Sequence, residues 1–267
     1  MRPDPVFIIG MHRSGTSALG GALVSLGLTV GKNEMPPQAD NPDGFNENLS
    51  LMRFHDEFLA SINSNWHDPK PVGEQRFQDL VMRPIRVKLL ELLKDEFGED
   101  RALIKDPRLC RLMLLWVPLI REHFPQACLI VPIRHPVEVA RSLRKRDHFA
   151  LDKGLKLWVL HVLEGERTTR GFSRLFTTLD QLFQSPIEPG RRLAECLGLP
   201  ADAVAAAIST RIDPRRPHQT DSSWPTGVPH EELTLSIYET LISEEPAKEE
   251  KLDRLRKEYY GKMGWGC

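Results

Sequence analysis

Gly10-Met-His-Arg-Ser-Gly-Thr-Ser17 follows the apolar run Pro5-Val-Phe-Ile-Ile9 and precedes Ala18-Leu-Gly-Gly-Ala-Leu-Val-Ser-Leu26. The apolar run predicts a buried strand and the stretch after it a helix. A glycine-bearing turn between the two is an anion cradle: backbone N–H groups converge on one spot, and the helix N-terminus adds partial positive charge there. Gly10 and Gly15 have the spacing of a nucleoside-triphosphate P-loop, but such a loop needs Lys next, to reach the terminal phosphates. Here Thr16 holds that position, and the nearest cation is Arg13, inside the loop. The loop is therefore expected to take a phosphate-like anion other than ATP with magnesium.

Leu129-Ile-Val-Pro-Ile-Arg-His-Pro-Val-Glu-Val-Ala-Arg-Ser142 repeats the pattern of strand, turn and helix. Pro136 suits a first helical turn. Arg134 stands at the strand's C-terminal end, the edge at which open parallel sheets bind ligands. Ser142 lies eight residues on, inside the helix. Together they are candidates for a second phosphate, away from the first; the structural alternative makes Arg134 a surface ion pair.

Strands are expected near 6–9, 101–105, 127–133 and 174–178, with helices over about 18–28, 48–62, 75–97, 109–123, 136–146 and 153–170. This alternation predicts a parallel sheet with helices on both faces, a P-loop-like three-layer α/β/α fold. Beyond Pro200 an alanine-rich helix (201–209), a polar loop (213–230) and two charged helices (230–243, 246–260) form a helical C-terminal appendix. The 267 residues suit a single domain with its core over 5–200 and the appendix over 201–267. A net charge of −1 gives no field for nucleic acid or a membrane surface. The basic run Arg141-Ser-Leu-Arg-Lys-Arg146 is a local exception: either a positive mouth beside the site or a solvated helix face. No apolar run is long enough to span a bilayer, and a cytoplasmic location is expected. Cys110, Cys128, Cys196 and Cys267 lack metal-site spacing and are expected to be reduced thiols.

The two loop motifs, in this order and spacing, resemble the sulfotransferases that use 3′-phosphoadenosine-5′-phosphosulfate (PAPS). Asn41-Pro-Asp-Gly-Phe-Asn-Glu47, Lys105-Asp-Pro-Arg108 and the helix carrying Trp158 are similar to bacterial members of that family. Arg13, where cytosolic members usually carry Lys, matches the tyrosylprotein and several bacterial members. The resemblance covers about residues 5–200. It implies that His12, Arg13, Ser14, Gly15, Thr16 and Ser17 bind the 5′-phosphosulfate and that Arg134 and Ser142 bind the 3′-phosphate, with adenosine 3′,5′-bisphosphate (PAP) as product. It also implies transfer to a hydroxyl of a carbohydrate or small metabolite, assisted by Arg13 and a glutamate base. A nucleotide or small-molecule kinase and a non-catalytic nucleotide-binding relative are the alternatives.

Glu47 is the preferred base and Glu34 the other candidate of its type. His55 is the runner-up, since cytosolic members use His, although its helical spacing beside Phe54 and Phe58 also suits a packed residue. Lys105 or Arg108 could face substrate or cofactor, one of them oriented by Asp106, or form a structural ion pair. Trp66 and Trp116 read as core or pocket wall. The late Arg-Lys-Gly stretch of cytosolic members has no match here; Arg215-Arg216 is the nearest substitute.

Overall fold

Every residue of the first strand, β1 (Val6–Ile8), is buried, as a strand covered by helices on both faces must be. The computed structural model describes residues 3–38, 41, 44–184, 187–211 and 221–265. After β1 come α1 (Thr16–Ser25), α2 (Leu49–Ser61), α3 (Asp79–Phe97), β2 (Leu103–Lys105), α4 (Leu109–His123), β3 (Cys128–Ile133), α5 (Pro136–Asp147), α6 (Leu151–Thr168) and β4 (Arg174–Thr178). The chain continues through α7 (Leu179–Gln184), α8 (Ile187–Leu197), α9 (Ala201–Arg211), α10 (Glu231–Ile242) and α11 (Lys248–Met263). The strands form one sheet in the order β2-β1-β3-β4, and all their pairings are parallel.

Side-chain alternation sorts the helices into two layers. Val6, Ile8, Leu103, Cys128 and Ile130 pack against α1, α8 and α9. Phe7, Ile9, Ile104 and Leu129 face the opposite way, onto α2, α3 and α4. Val131 and Ile133 share that side with α5, α6, α10 and α11, so the C-terminal helices join the same core through Ile237, Leu241, Leu252 and Tyr259. The fold is thus α/β in three layers. From β1 the chain passes to β2 on one side, then returns to β3 on the other, with α1 and α5 on opposite faces. The crevice beyond the carboxyl ends of β1 and β3 is therefore a topological switch point, where such sheets bind ligands.

The expected elements are present with shifted ends, and α3 starts at Asp79 after a short 3₁₀ turn at Glu74–Phe77. Two helices were not anticipated, α7 and α8. Pro189 falls in the first turn of α8, where a missing N–H costs little. This helix also overturns the expectation for the cysteines. Cys128 points from β3 toward the α8 layer and is disulfide-bonded to Cys196, with Cα atoms 5.7 Å apart. Cys110 is free and buried, and Cys267 lies outside the described residues. The bridge closes a loop with a separation of 68 residues. Cys196→Ser is expected to lower stability by about 2–4 kcal/mol, read in denaturant unfolding. The loss should vanish when both proteins are unfolded in reductant; a loss that persists there would assign the effect to packing. Among the described residues no helix is long and apolar enough to cross a membrane.

Candidate active site

The loop after β1 is shaped by three local constraints. A Cβ on Gly10 would come within 2.7 Å of Pro132 Cγ and 2.9 Å of Thr16 Cγ2, so the chain leaves the strand where only glycine fits. Arg13 and Gly15 have φ of 68° and 84°, and Ser14 between them does not. This alternation of hand turns successive N–H groups toward one concavity, an anion nest. Gly15 is the N-cap of α1 and supplies no side-chain cap, leaving the first helical N–H groups to a ligand. Ser14 Oγ and His12 Nε2 are buried without a hydrogen-bond partner among the described residues. An anion seated in the loop would give both a partner; the donor set and the orphaned atoms fit a phosphosulfate.

The second motif meets the first directly. Arg13 Nε donates to Ser142 Oγ at 2.8 Å, and Arg134 Nη1 donates to the Arg13 carbonyl at 2.9 Å. The switch point is thus crossed by two hydrogen bonds, one from each arginine. Arg134 Nε also donates to Glu138 at 2.8 Å, so the ion pair and the loop contact coexist. Trp158, fully buried, donates its indole N–H to the Arg134 carbonyl at 2.9 Å and fixes the strand end. Glu138, Ser142 and Arg146 recur every four residues and form one face of α5. Its last member, Arg146, lies over the Trp66 ring, 5.6 Å from its centroid. Trp66 in turn packs against His12, with ring centroids 4.3 Å apart. Burial first, then the Arg146 and Arg108 charges, hold the His12 imidazole well below the usual histidine range, so the ring is neutral at neutral pH.

Glu47 sits on the other flank. The segment that carries it docks on α1: Asn46 Nδ2 donates to the Ser17 carbonyl at 3.1 Å, and Asn41 Nδ2 to Ser17 Oγ at 3.3 Å. Lys105, at the end of β2, lays its stem against Gly20, where an added Cβ would lie 3.2 Å from Lys105 Cδ. Its ammonium donates to Glu47 Oε1 and to the Phe45 carbonyl, both at 2.6 Å. Both partners are buried. Burial raises the Glu47 carboxyl above the usual range and Lys105 opposes that rise. Glu34 is exposed.

The remaining candidates form a buried scaffold. His55 Nε2 accepts from Trp116 Nε1–H at 3.1 Å, which leaves Nδ1–H to donate to Asp106 at 2.7 Å. Both ring nitrogens are occupied and the side chain is fully buried, so His55 is a packed residue and not an available base. Asp106 also accepts from the Arg108 N–H at 2.9 Å and from its guanidinium at 3.0 Å, and Arg108 reaches Asp56 through Nη2 at 2.8 Å. Burial opposes ionisation of Asp106, but Arg108 and His55 outweigh it and hold the carboxyl well below the usual range. Of the Lys105-Asp-Pro-Arg108 motif, then, Lys105 faces Glu47 and the rest braces the turn into α4. Trp116 is core, whereas half-buried Trp66 is the wall beside His12. Arg215 and Arg216 lie outside the described residues.

Parallel sheet, switch point and uncapped anion nest together define an α/β protein of the P-loop-like class. Residues 5–203 match the model of the sulfotransferase family, and the chain belongs to that family. In fold it is similar to the sulfotransferase domain of the Synechococcus PCC 7002 olefin synthase (16% identity, 97% of this chain and 95% of that one, TM-score 0.47). It is also similar to a sulfotransferase domain of the curacin biosynthetic pathway (14%, 99% and 98%, TM-score 0.46). A sulfotransferase from Mycobacterium tuberculosis H37Rv is a further such structure (13%, 79% and 72%, TM-score 0.42). No protein among curated sequences matches significantly.

Proposed function

We propose that this protein is a PAPS-dependent sulfotransferase acting on a hydroxyl of a carbohydrate or small metabolite. The observation that carries the reading is the Arg13–Ser142 hydrogen bond: it joins the two anion motifs across the switch point, where a ligand with two phosphate groups would meet both. PAPS, once bound, supplies a sulfuryl group already activated on a phosphate. The nest N–H groups, the Arg13 guanidinium and the hydroxyls of Ser14, Thr16 and Ser17 hold that end and stabilise charge as it grows on the leaving phosphate. Arg134 and Ser142 hold the 3′-phosphate. Glu47 accepts the proton that the acceptor hydroxyl gives up as its oxygen bonds to sulfur, and Lys105 keeps that carboxylate ionised and oriented. A kinase reading is disfavoured by Thr16 at the lysine position. A cytoplasmic location goes with this proposal.

The test is ligand-dependent melting. Adenosine 3′,5′-bisphosphate binds only the folded site and at about 100 times its Kd should add roughly 2.7 kcal/mol of stability, raising Tm. Adenosine 5′-monophosphate, with no group for Arg134 and Ser142, should give a much smaller rise, and ATP with magnesium little. Equal rises from the bisphosphate and the monophosphate would remove the two-phosphate assignment.

A further inference from the structure

We propose that Arg146 and Lys153, held over the rings of Trp66 and Phe149 beside the phosphosulfate loop, bind an anionic group on the acceptor, so that the substrate is an acidic carbohydrate. This deepens the sulfotransferase reading and rests on it.

Arg146 continues the face of α5 that bears Ser142, one turn further from Arg134, and its charge acts on His12 inside the loop. Through Trp66, which packs on His12, it stands beside the loop. Its Nε is taken by Asp147 at 2.9 Å, and its two terminal nitrogens have no partner among the described residues. Lys153 Nζ lies 3.9 Å from the Phe149 ring centroid and makes a single polar contact among the described residues, 3.3 Å to His67 Nδ1. Phe149 stands 5.8 Å from Trp66 and 5.4 Å from His67, centroid to centroid. Two cations are thus laid on an aromatic patch with donors to spare. Cation–π contact holds each in place without using its N–H groups, and an anion is the ligand those groups recognise.

The loop that carries Trp66 and His67 is tied down from beneath. Buried Arg111 donates to the carbonyls of Asn65 at 3.0 Å and Asp68 at 2.7 Å, and also to that of Lys70. The aromatic patch is therefore preformed, which lowers the ordering cost of binding. Nearby acids are spent elsewhere: Asp152 pairs with Lys156 at 2.8 Å, and Asp68 accepts from Ser64 Oγ and the Lys70 N–H. Asp147 neutralises part of Arg146, while Lys153 makes no ion pair among the described residues. The balance at this mouth is positive although the chain as a whole carries −1. Trp66, His67 and Phe149 are half-buried and leave apolar surface beside the cations, against which an acceptor can lie with its acidic group directed to Arg146 and Lys153.

The experiment compares three probes with PAPS as donor: 4-nitrophenyl β-glucuronide, the 6-sulfate of 4-nitrophenyl β-glucoside, and the neutral glucoside. Transfer is measured alongside calorimetric binding of each probe and of the bisphosphate. The expected result is a preference of about tenfold or more in kcat/KM for an acidic probe over the neutral one; which acidic probe leads tells carboxylate from sulfate. Arg146→Met keeps a stem on Trp66 and should bring that preference close to one, with bisphosphate affinity unchanged; Lys153→Met should reduce it. Equal kcat/KM for acidic and neutral probes would overturn the proposal. So would a bound bisphosphate with no transfer to, or binding of, any probe. A loss of bisphosphate affinity in Arg146→Met with the preference intact would move Arg146 to the donor site instead. If the bisphosphate itself fails to bind the unaltered protein, the sulfotransferase reading falls, and this proposal with it.

Discussion

Replacing Glu47 by Gln is expected to cut turnover by about 10²–10⁴-fold, the range of a lost general base, while the bisphosphate still binds nearly as in the unaltered protein. Gln keeps the shape, and its carbonyl oxygen can still accept from Lys105, whose ammonium is otherwise left in a buried site. Breaking a buried pair outright costs about 3–5 kcal/mol, so the melting temperature of Glu47→Gln must be followed with the rate. A folded variant with intact bisphosphate binding and normal turnover would end the assignment, and Glu34 would be the next glutamate to test. The pH profile gives a second reading. Burial raises the Glu47 carboxyl and Lys105 opposes the rise. The acid limb of kcat/KM should therefore lie above the ordinary glutamate range, with activity lost as the carboxylate takes up a proton. In Glu47→Gln that limb should disappear from the residual rate. A limb unchanged by the substitution would belong to another group.

The parts of the site that were legible in the sequence are those carried by contiguous residues. The Gly10–Ser17 loop could be read because one segment holds the strand, the turn glycines and the helix start. The same holds for Arg134 at the end of β3. What the linear pattern does not carry is which loops meet. The Arg13–Ser142 bond joins residues 129 apart and the Glu47–Lys105 bond residues 58 apart. Each depends on the order β2-β1-β3-β4, which periodicity does not give. Arg146 was visible only as part of a basic run; its role follows from helical spacing once Ser142 is known to face the loop. The spacing of His55 was ambiguous between base and packed residue, and only the Trp116 and Asp106 contacts decide it. The disulfide was hidden because α8, which carries Cys196, was not read from the sequence. A signal for α8 did exist: Leu193, Ala194 and Leu197 recur at helical spacing, and all three are buried.

Arg13→Ala is expected to lower turnover by about 10²–10³-fold, the usual effect of removing one preorganised donor from a site of developing charge. It should also weaken bisphosphate binding, unlike Glu47→Gln. The fold should survive, because the loop does not depend on this side chain. The Arg134 guanidinium holds the Arg13 carbonyl, not its side chain, and Gly10 and Gly15 keep their conformations. The left-handed backbone at position 13, with φ 68°, is strained for any residue with a Cβ, and Ala retains that strain. The lost Ser142 hydrogen bond contributes about 1 kcal/mol to any change in Tm. Ser142→Ala provides the comparison. It removes that bond but leaves the guanidinium, so it should weaken bisphosphate binding with a much smaller loss in turnover. If both variants lose turnover equally, Arg13 acts only by bridging to Ser142. If Arg13→Ala loses turnover alone, its guanidinium acts on the leaving group directly. Near-normal turnover in Arg13→Ala would place charge stabilisation in the nest N–H groups and leave the arginine a binding role.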